Sequence, residues 1–304
     1  SPAFLKEDAA GDVTLCIPPA FYSYHGEALD KKTPLLRSMK AVSDQALRVL
    51  RALGDTTATR VTATVGPEQE YFLVEKERYL ERLDLIACGR TLFGAAPPKG
   101  QELEDQYFGS IKDRVASFMK DLDIQLWKMG ITSKTKHNEV APAQFEMAPI
   151  FSTTNIAADH NQLVMETMQK VALRHDMVCL LHEKPFAGIN GSGKHNNWSL
   201  STDLGQNLLE PGTTPHENAQ FLVFLSASLT AVDTHADILR GTCGSSGNDH
   251  RLGANEAPPA IISAFLGDEL TNIIFALAKG QKASSQAASY LKVGVDTLPD
   301  LPKD

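Results

Sequence analysis

Three short stretches carry side chains with the types and spacing to hold divalent cations. The first, Gly66-Pro-Glu-Gln-Glu-Tyr-Phe-Leu-Val74, has Glu68 and Glu70 two positions apart. In an extended chain, Glu68, Glu70 and Phe72 share one face, and Gln69, Tyr71 and Leu73 the other. Both faces carry apolar residues, so both are expected to be covered. Two semi-buried carboxylates then repel each other unless cations sit between them. A solvated edge strand is the alternative for a Glu-x-Glu taken alone. The second stretch, Lys136-His-Asn-Glu-Val-Ala-Pro-Ala-Gln-Phe-Glu-Met-Ala-Pro149, holds Glu139 and Glu146 among small and apolar residues. His137 beside them is either a further polar site residue or a structural histidine. The third, Gly188-Ile-Asn-Gly-Ser-Gly-Lys-His-Asn-Asn-Trp-Ser-Leu200, offers glycines that let backbone N–H groups approach an anion. Asn190 adds an amide, and His195 a nitrogen for a metal or a phosphate. A plain hairpin turn is the alternative for the glycines alone.

Glutamates favour hard ions such as Mg²⁺ or Mn²⁺. Glu68, Glu70, Glu139, Glu146 and His195 together suit two of them. Paired divalent ions screen phosphate oxygens in phosphoryl transfer. Arg251 adds a fixed cation for a developing phosphate or a substrate carboxylate. Glu256, on an expected loop, can accept a proton or balance a cationic substrate. Read from the residues, this is a two-metal, nucleotide-using enzyme. It is not a P-loop protein. Gly188 to Lys194 spells G-x-x-x-x-G-K, but His195 follows where Ser or Thr would hold magnesium, and Asn196 to Leu200 alternates as a strand.

The positioning elements follow from periodicity and punctuation. Residues 1–32 read as loop, with a strand at Val13–Ile17. A helix is expected from a Thr33 cap, with Pro34 in its first turn, to Gly54, with a stripe of Leu35, Met39, Val42, Ala46, Val49 and Leu53. Strands are expected at Arg60–Val65 and Glu68–Val74, separated by a break at Gly66-Pro67. A helix capped by Ser110 and closed by Gly130 buries Ile111, Val115, Phe118, Met119, Leu122 and Leu126. Pro142 and Pro149 forbid a long helix, so Glu139 and Glu146 fall on a strand–turn–strand. A long helix over 155–182 carries His160, His175 and His182 as surface or packing residues. A strand over 186–189 leads into the glycine stretch. Thr214-Pro-His-Glu217 reads as a capping box opening an apolar helix to Arg240. A mobile Gly241–Asn248 loop and a helix ending near Lys279 follow.

Composition narrows the class. The 304 residues are 42% hydrophobic and carry a formal net charge of −8. That supports a sizeable core and argues against a nucleic-acid surface. No apolar run has the length of a membrane span and no signal peptide is visible. Cys16, Cys88, Cys179 and Cys243 show no C-x-x-C pair, consistent with reduced, mostly buried thiols in the cytoplasm. The chain opens at Ser1 without Met and closes at Asp304 in a Pro-containing stretch, so trimming at both ends is expected.

These motifs resemble glutamine synthetase, most of all its large type III branch. The resemblance rests on Gly66-Pro-Glu-Gln-Glu-Tyr-Phe-Leu73, Asn138-Glu-Val-Ala-Pro-Ala-Gln-Phe-Glu146, Asn190-Gly-Ser-Gly-Lys-His195 and Arg251-Leu-Gly-Ala-Asn-Glu-Ala-Pro258, in family order. It implies one α+β catalytic domain over 1–304, a curved antiparallel half-barrel sheet backed by helices. Glu70, Glu139 and Glu146 would hold a metal near the substrate glutamate. Glu68 and His195 would hold the metal that aligns ATP phosphates. Asn190, Gly191 and Glu139 would meet the amino acid, and Ser199 would line the nucleotide pocket. Arg251 would bind carboxylate or phosphate, and Glu256 would take a proton from ammonium. The implied reaction joins ammonia to L-glutamate through γ-glutamyl phosphate, with ATP and two Mg²⁺ or Mn²⁺ ions, in a homo-oligomer of stacked rings.

The chain also departs from the family pattern. A later Glu-x-Arg strand that completes the phosphate-side metal site, and the small N-terminal β-domain, find no counterpart. A γ-glutamyl-amine ligase or other phosphotransferase on the same half-barrel, and a truncated non-catalytic relative, are therefore the competing functions.

Overall fold

Glu68 is the residue at which the chain passes from one sheet to the next. The computed structural model describes residues 1–8, 10–96, 98–244 and 266–281. Strand β3 (Val61–Pro67) ends just before Glu68 and β4 (Gln69–Glu75) begins just after it. The expected break at Gly66-Pro67 is displaced by one residue. Gly66 and Pro67 stay paired to Asn197 and Asn196 of β9 (Asn196–Thr202).

β3 is the centre of a three-stranded sheet, flanked by β9 and by the short β7 (Ser152–Thr153). β4 belongs to a four-stranded sheet in the order β5-β6-β4-β8, from β5 (Ser133–Asn138), β6 (Gln144–Pro149) and β8 (Met177–Leu180). Every pairing is antiparallel. An N-terminal hairpin, β1 (Phe4–Glu7) with β2 (Val13–Cys16), forms a separate two-stranded sheet.

Helices back these sheets. α4 (Asp113–Lys128) and α5 (Thr154–Arg174) cover one face of the four-stranded sheet. Between them lies the main core of Tyr71, Leu73, Phe118, Leu122, Leu126, Phe145, Met147, Val164 and Met168, among others. α1 (Lys32–Ala52) packs on β3 and β9 through Ala46 and Leu50. The other face of β4 and β8 carries a smaller cluster of Phe72, Leu85, Ala141 and Leu180. Leu85 comes from α3 (Leu83–Cys88), which follows α2 (Lys76–Leu80). The α+β architecture of antiparallel sheets backed by helices is the one expected.

Several local expectations are corrected. Thr33 does not cap α1. The Asp30 carboxylate accepts from the Thr33 N–H at 2.8 Å, while the Thr33 hydroxyl donates to Phe21 O at 3.0 Å. Val42 and Leu53 in the expected stripe are 39% and 43% exposed, and Leu50 replaces them in the core. Ser110 lies before the start of α4, whose N-cap is Lys112.

The long helix over 155–182 stops at Arg174. Arg114 donates to the His175 and Asp176 carbonyls at 3.1 and 2.9 Å, satisfying the chain at the helix end. Asp176 then adopts a left-handed φ of 54°, and the apolar run Met177–Leu180 joins β4 as a strand. The strand expected over 186–189 is a series of turns, with Phe186 and Ile189 packed on the Phe72 cluster.

The Thr214 box forms only a short 3-10 turn, Pro215–Glu217. Asn218 caps α6 (Ala219–Thr234) by accepting from Phe221 N at 3.0 Å. A 71° bend separates α6 from α7 (Ala236–Cys243). α8 (Gly267–Ala278) is the final described helix. Gly241–Cys243 is helical rather than loop, and the rest of the stretch expected to be mobile lies outside the described residues beyond Gly244. Among the described residues no single helix is long and apolar enough to cross a membrane. Cys179 is buried, but Cys88 and Cys243 are exposed, against the expectation of mostly buried thiols.

Phe118 has no exposed surface and its ring lies 5.9 Å from that of Tyr71. Phe118→Ala should lower unfolding free energy by about 3–5 kcal/mol, through lost transfer energy and a residual cavity. Chemical denaturation measures this, and a loss under about 1 kcal/mol would mean that the α4–sheet interface is not the main core.

Candidate functional site

Strand register gathers most of the expected acids. Glu70 on β4 is the direct cross-strand partner of Glu146 on β6, which is itself the partner of His137 on β5. Directly opposed residues in antiparallel strands point to the same side. Glu70, Glu146 and His137 therefore form a row across the face that also carries Phe72. The opposite face, with Tyr71, Phe145 and Met147, is in the main core. The β5–β6 turn sets Glu139 at the end of this row, where its N–H donates to Gln144 O at 2.9 Å. Ala143 closes the turn with a left-handed φ of 61°, a strained conformation for a residue with a Cβ.

The row is poorly solvated. Glu70 is 3% exposed and Glu146 7%, and the Glu139 side chain is 12% exposed. His137 Nε2 lies 3.4 Å from Glu146 Oε1, and Nδ1 3.5 Å from Glu139 Oε1. Ligand atoms of His137, Glu139 and Glu146 all lie within 4.8 Å of one another. Hydrogen bonding to Glu146 is the main cause that lifts His137 to a pKa of about 9, against the desolvation that opposes it. His137, left open by the sequence, is thus a member of the cluster. Its signal was its place two residues before Glu139, which in a strand-to-turn transition does not by itself fix a side.

Glu70 shares the row but is held differently. Its Oε2 accepts from the Gly193 N–H at 2.6 Å and from Gln144 Nε2 at 3.3 Å. The expected trio of Glu70, Glu139 and Glu146 thus lies on one face. The tight trio is His137, Glu139 and Glu146, with Glu70 anchoring the glycine stretch.

That stretch runs alongside Glu68 and Glu70. The Glu68 N–H donates to His195 O at 2.8 Å, and the Glu70 N–H to Gly193 O at 3.3 Å. Gly191, Ser192 and Gly193 are buried. Glu68 and His195 meet as expected, with Nδ1 3.0 Å from Glu68 Oε2. Asn197 Nδ2 donates to Glu68 Oε1 at 2.6 Å. These contacts, the one with His195 foremost, hold the Glu68 carboxyl below its ordinary pKa. His137 adds a weaker electrostatic contribution to the same carboxyl.

The remaining expected residues divide. Asn190 precedes the buried glycines and pairs with Gln101. The Ser199 hydroxyl, on β9, donates to Asn207 Oδ1 at 2.5 Å. Arg251 and Glu256 lie outside the described residues. Gln144 escaped the sequence reading, because a glutamine between Ala143 and Phe145 carries no signal of a bond to a distant carbonyl.

A set of buried carboxylates and imidazoles fits hard divalent cations better than it fits any neutral ligand. His137 supplies one positive charge against the nearby carboxylates. The apolar floor of Phe72, Ala141 and Leu180 keeps water away from the row.

Comparison with known proteins places the chain in a family. Residues 45–236 match the family model described as glutamine synthetase, catalytic domain, and residues 1–38 match that for the glutamine synthetase type III N terminal. The chain is 54% identical over 304 residues to the type-3 glutamine synthetase of Dictyostelium discoideum, covering 100% of this chain and 41% of that protein. It is 57% identical over 289 residues to a glutamine synthetase of Butyrivibrio fibrisolvens, covering 95% of this chain and 40% of that one. The chain therefore spans less than half the length of these relatives. A glutamine synthetase of Plasmodium falciparum, solved by cryo-electron microscopy, shares the fold with a TM-score of 0.57 and 19% identity, over 80% of this chain and 47% of that one.

Gln144 is 1% exposed, and its Nε2 reaches Gly191 O at 2.9 Å as well as Glu70 and Ser192 Oγ. Gln144→Leu should cost about 1–3 kcal/mol, because it strands buried acceptors. Hydrogen exchange should show lost protection at the Gly193 amide. Unchanged protection there would show that Gln144 does not hold the glycine stretch.

Proposed function

The chain belongs to the glutamine synthetase catalytic-domain family, and from that premise we infer that it supplies the metal, nucleotide and amino-acid sites of a glutamate–ammonia ligase. The observation that carries this reading is the in-register row of Glu70, Glu146 and His137, with Glu139 beside it and the glycine stretch bonded along its edge.

In this reading Glu139 and Glu146, with Glu70 behind them, hold one cation next to the amino acid. Glu68 and His195 hold the other, toward the ATP phosphates. A divalent ion such as Mg²⁺ or Mn²⁺ held there would supply positive charge to offset the phosphate oxygens. Asn190 and Gly191 orient the amino acid, and Ser199 lines the nucleotide pocket.

A carboxylate is a poor acylating agent, so its activation comes first. An oxygen of the glutamate side chain attacks the γ-phosphorus of ATP, the bond to the bridging oxygen breaks, and ADP leaves. Ammonia then attacks the γ-carbonyl carbon and phosphate departs with the bonding pair. Arg251 binds the carboxylate or the phosphate, and Glu256 removes the proton from ammonium. The covered floor under the row supports this chemistry by excluding water, which would hydrolyse the acyl phosphate. We extend the reading to a cytoplasmic homo-oligomer of stacked rings, supported by the family.

Titrating Mn²⁺ while following ATP binding tests the reading, and wild-type protein that binds no ATP in a metal-dependent way would sink it. Glu146→Gln should weaken Mn²⁺ binding by at least about tenfold, since a neutral amide replaces a ligand charge. Leu83→Ala, on an exposed side chain of α3, should leave it unchanged. Amide formation from glutamate should be faster with ammonia than with methylamine, and the reverse preference would move the reaction to an alkylamine ligase.

A further inference from the structure

Asn190 heads the glycine stretch, and its contact comes from a segment remote in sequence. Gln101 Oε1 accepts from the Asn190 backbone N–H at 2.6 Å, and Gln101 Nε2 donates to Asn190 Oδ1 at 2.9 Å. A side-chain amide normally leaves its two ends ambiguous. Here the backbone N–H is a donor only, so it fixes which end of Gln101 is oxygen. The other end of Gln101 must then be NH₂, and it must face an acceptor. That in turn fixes Asn190 with its oxygen toward Gln101 and its NH₂ directed elsewhere.

The segment carrying Gln101 is anchored around the same site at two further points. Asn138 Nδ2, next to Glu139, donates to Gly109 O at 2.9 Å. The Tyr107 ring lies 5.4 Å from that of His137. Leu103 and Glu104 both take a φ of 55° in the turn between, although Leu103 is 96% exposed. Burial of the leucine does not account for that conformation. Backbone bonds close the turn itself, from Glu104 N–H to Gln101 O at 3.1 Å and from Asp105 N–H to Glu102 O at 3.2 Å, and the Gln101–Asn190 pair ties it to the glycine stretch.

We propose that Gln101 is a positioning residue that sets the Asn190 amide as a hydrogen-bond donor to the carboxylate of the bound amino acid. This rests on the assignment of Asn190 to the amino-acid site made above. Gln101 itself touches no substrate. Its chemistry is orientation, since an inverted amide offers a lone pair where the ligand brings negative charge.

Gln101→Glu separates orientation from anchorage. A carboxylate still accepts from the Asn190 N–H and so keeps the segment in place. It cannot donate to Oδ1, and it draws the Asn190 NH₂ toward itself, which inverts the amide. On the full-length protein, Gln101→Glu should weaken L-glutamate binding about tenfold or more, the scale of one misdirected hydrogen bond. KM for glutamate should rise with little change in kcat, while Mn²⁺-dependent ATP binding stays within about twofold. Gln101→Ala should weaken glutamate less than Gln101→Glu does, because it removes one contact of Asn190 without drawing the amide into the inverted orientation. Glutamate affinity unchanged in Gln101→Glu, with ATP and Mn²⁺ still binding, would overturn the proposal. So would an equal loss of glutamate and ATP binding in both variants, which would mark Gln101 as merely structural. Wild-type protein that binds ATP and Mn²⁺ but no glutamate would instead defeat the assignment of Asn190, a separate result.

Discussion

Mutual repulsion among acids with little water around them is the constraint the rest of the site answers to. Ligand atoms of Glu139 and Glu146 lie within 4.8 Å of each other and of His137. Like charges at that separation, at an effective dielectric near 20, repel by about 3–4 kcal/mol. Glu70, 3% exposed, adds a further acid to the same face. One imidazolium offsets only part of this. A stability-driven sequence would place such residues at the surface. Their retention on a covered strand face points to cations that complete the charge balance.

Rigidity of the surrounding frame makes the arrangement possible. Glu70 and Glu146 belong to interior strands of the four-stranded sheet, and the helices α4 and α5 press on the reverse face. A one-residue slip of β4 against β6 would turn Glu70 into the hydrophobic core. The alternation that puts Tyr71, Phe145 and Met147 on the buried side therefore also aligns Glu70 with Glu146. Packing and chemistry are specified by the same register.

The glycine stretch answers a different need, close approach of backbone to backbone. Gly191 and Gly193 are buried, and Gly193 serves Glu70 with both its N–H and its carbonyl. Gln101 and Gln144 then hold the adjacent residues Asn190 and Gly191. The near-match to a P-loop fails for the reason visible in the sequence. The residues after Lys194 form β9, paired along its whole length with β3, and not a helix.

Periodicity alone determined a good deal of this protein. The alternation of Glu68 to Leu73, the proline-bounded hairpin holding Glu139 and Glu146, the helix through Phe118 and Leu126, and the extended Asn196–Leu200 are all local patterns, and local sterics decide them. Pairing of Glu68 with His195 was legible only through family motifs, since 127 residues separate the two. Tertiary structure decided the rest. It ended the helix at Arg174, where Arg114 from another helix satisfies the terminal carbonyls and an apolar run gains a place beside β4. It recruited His137 to the acids and turned Glu70 toward Gly193, because side-chain direction at a strand end depends on which neighbour lies across the ladder. It also brought Gln101 to Asn190. Amides carry no long-range signature in a sequence, and their hydrogen bonds exist only once the backbone has brought donor and acceptor within reach.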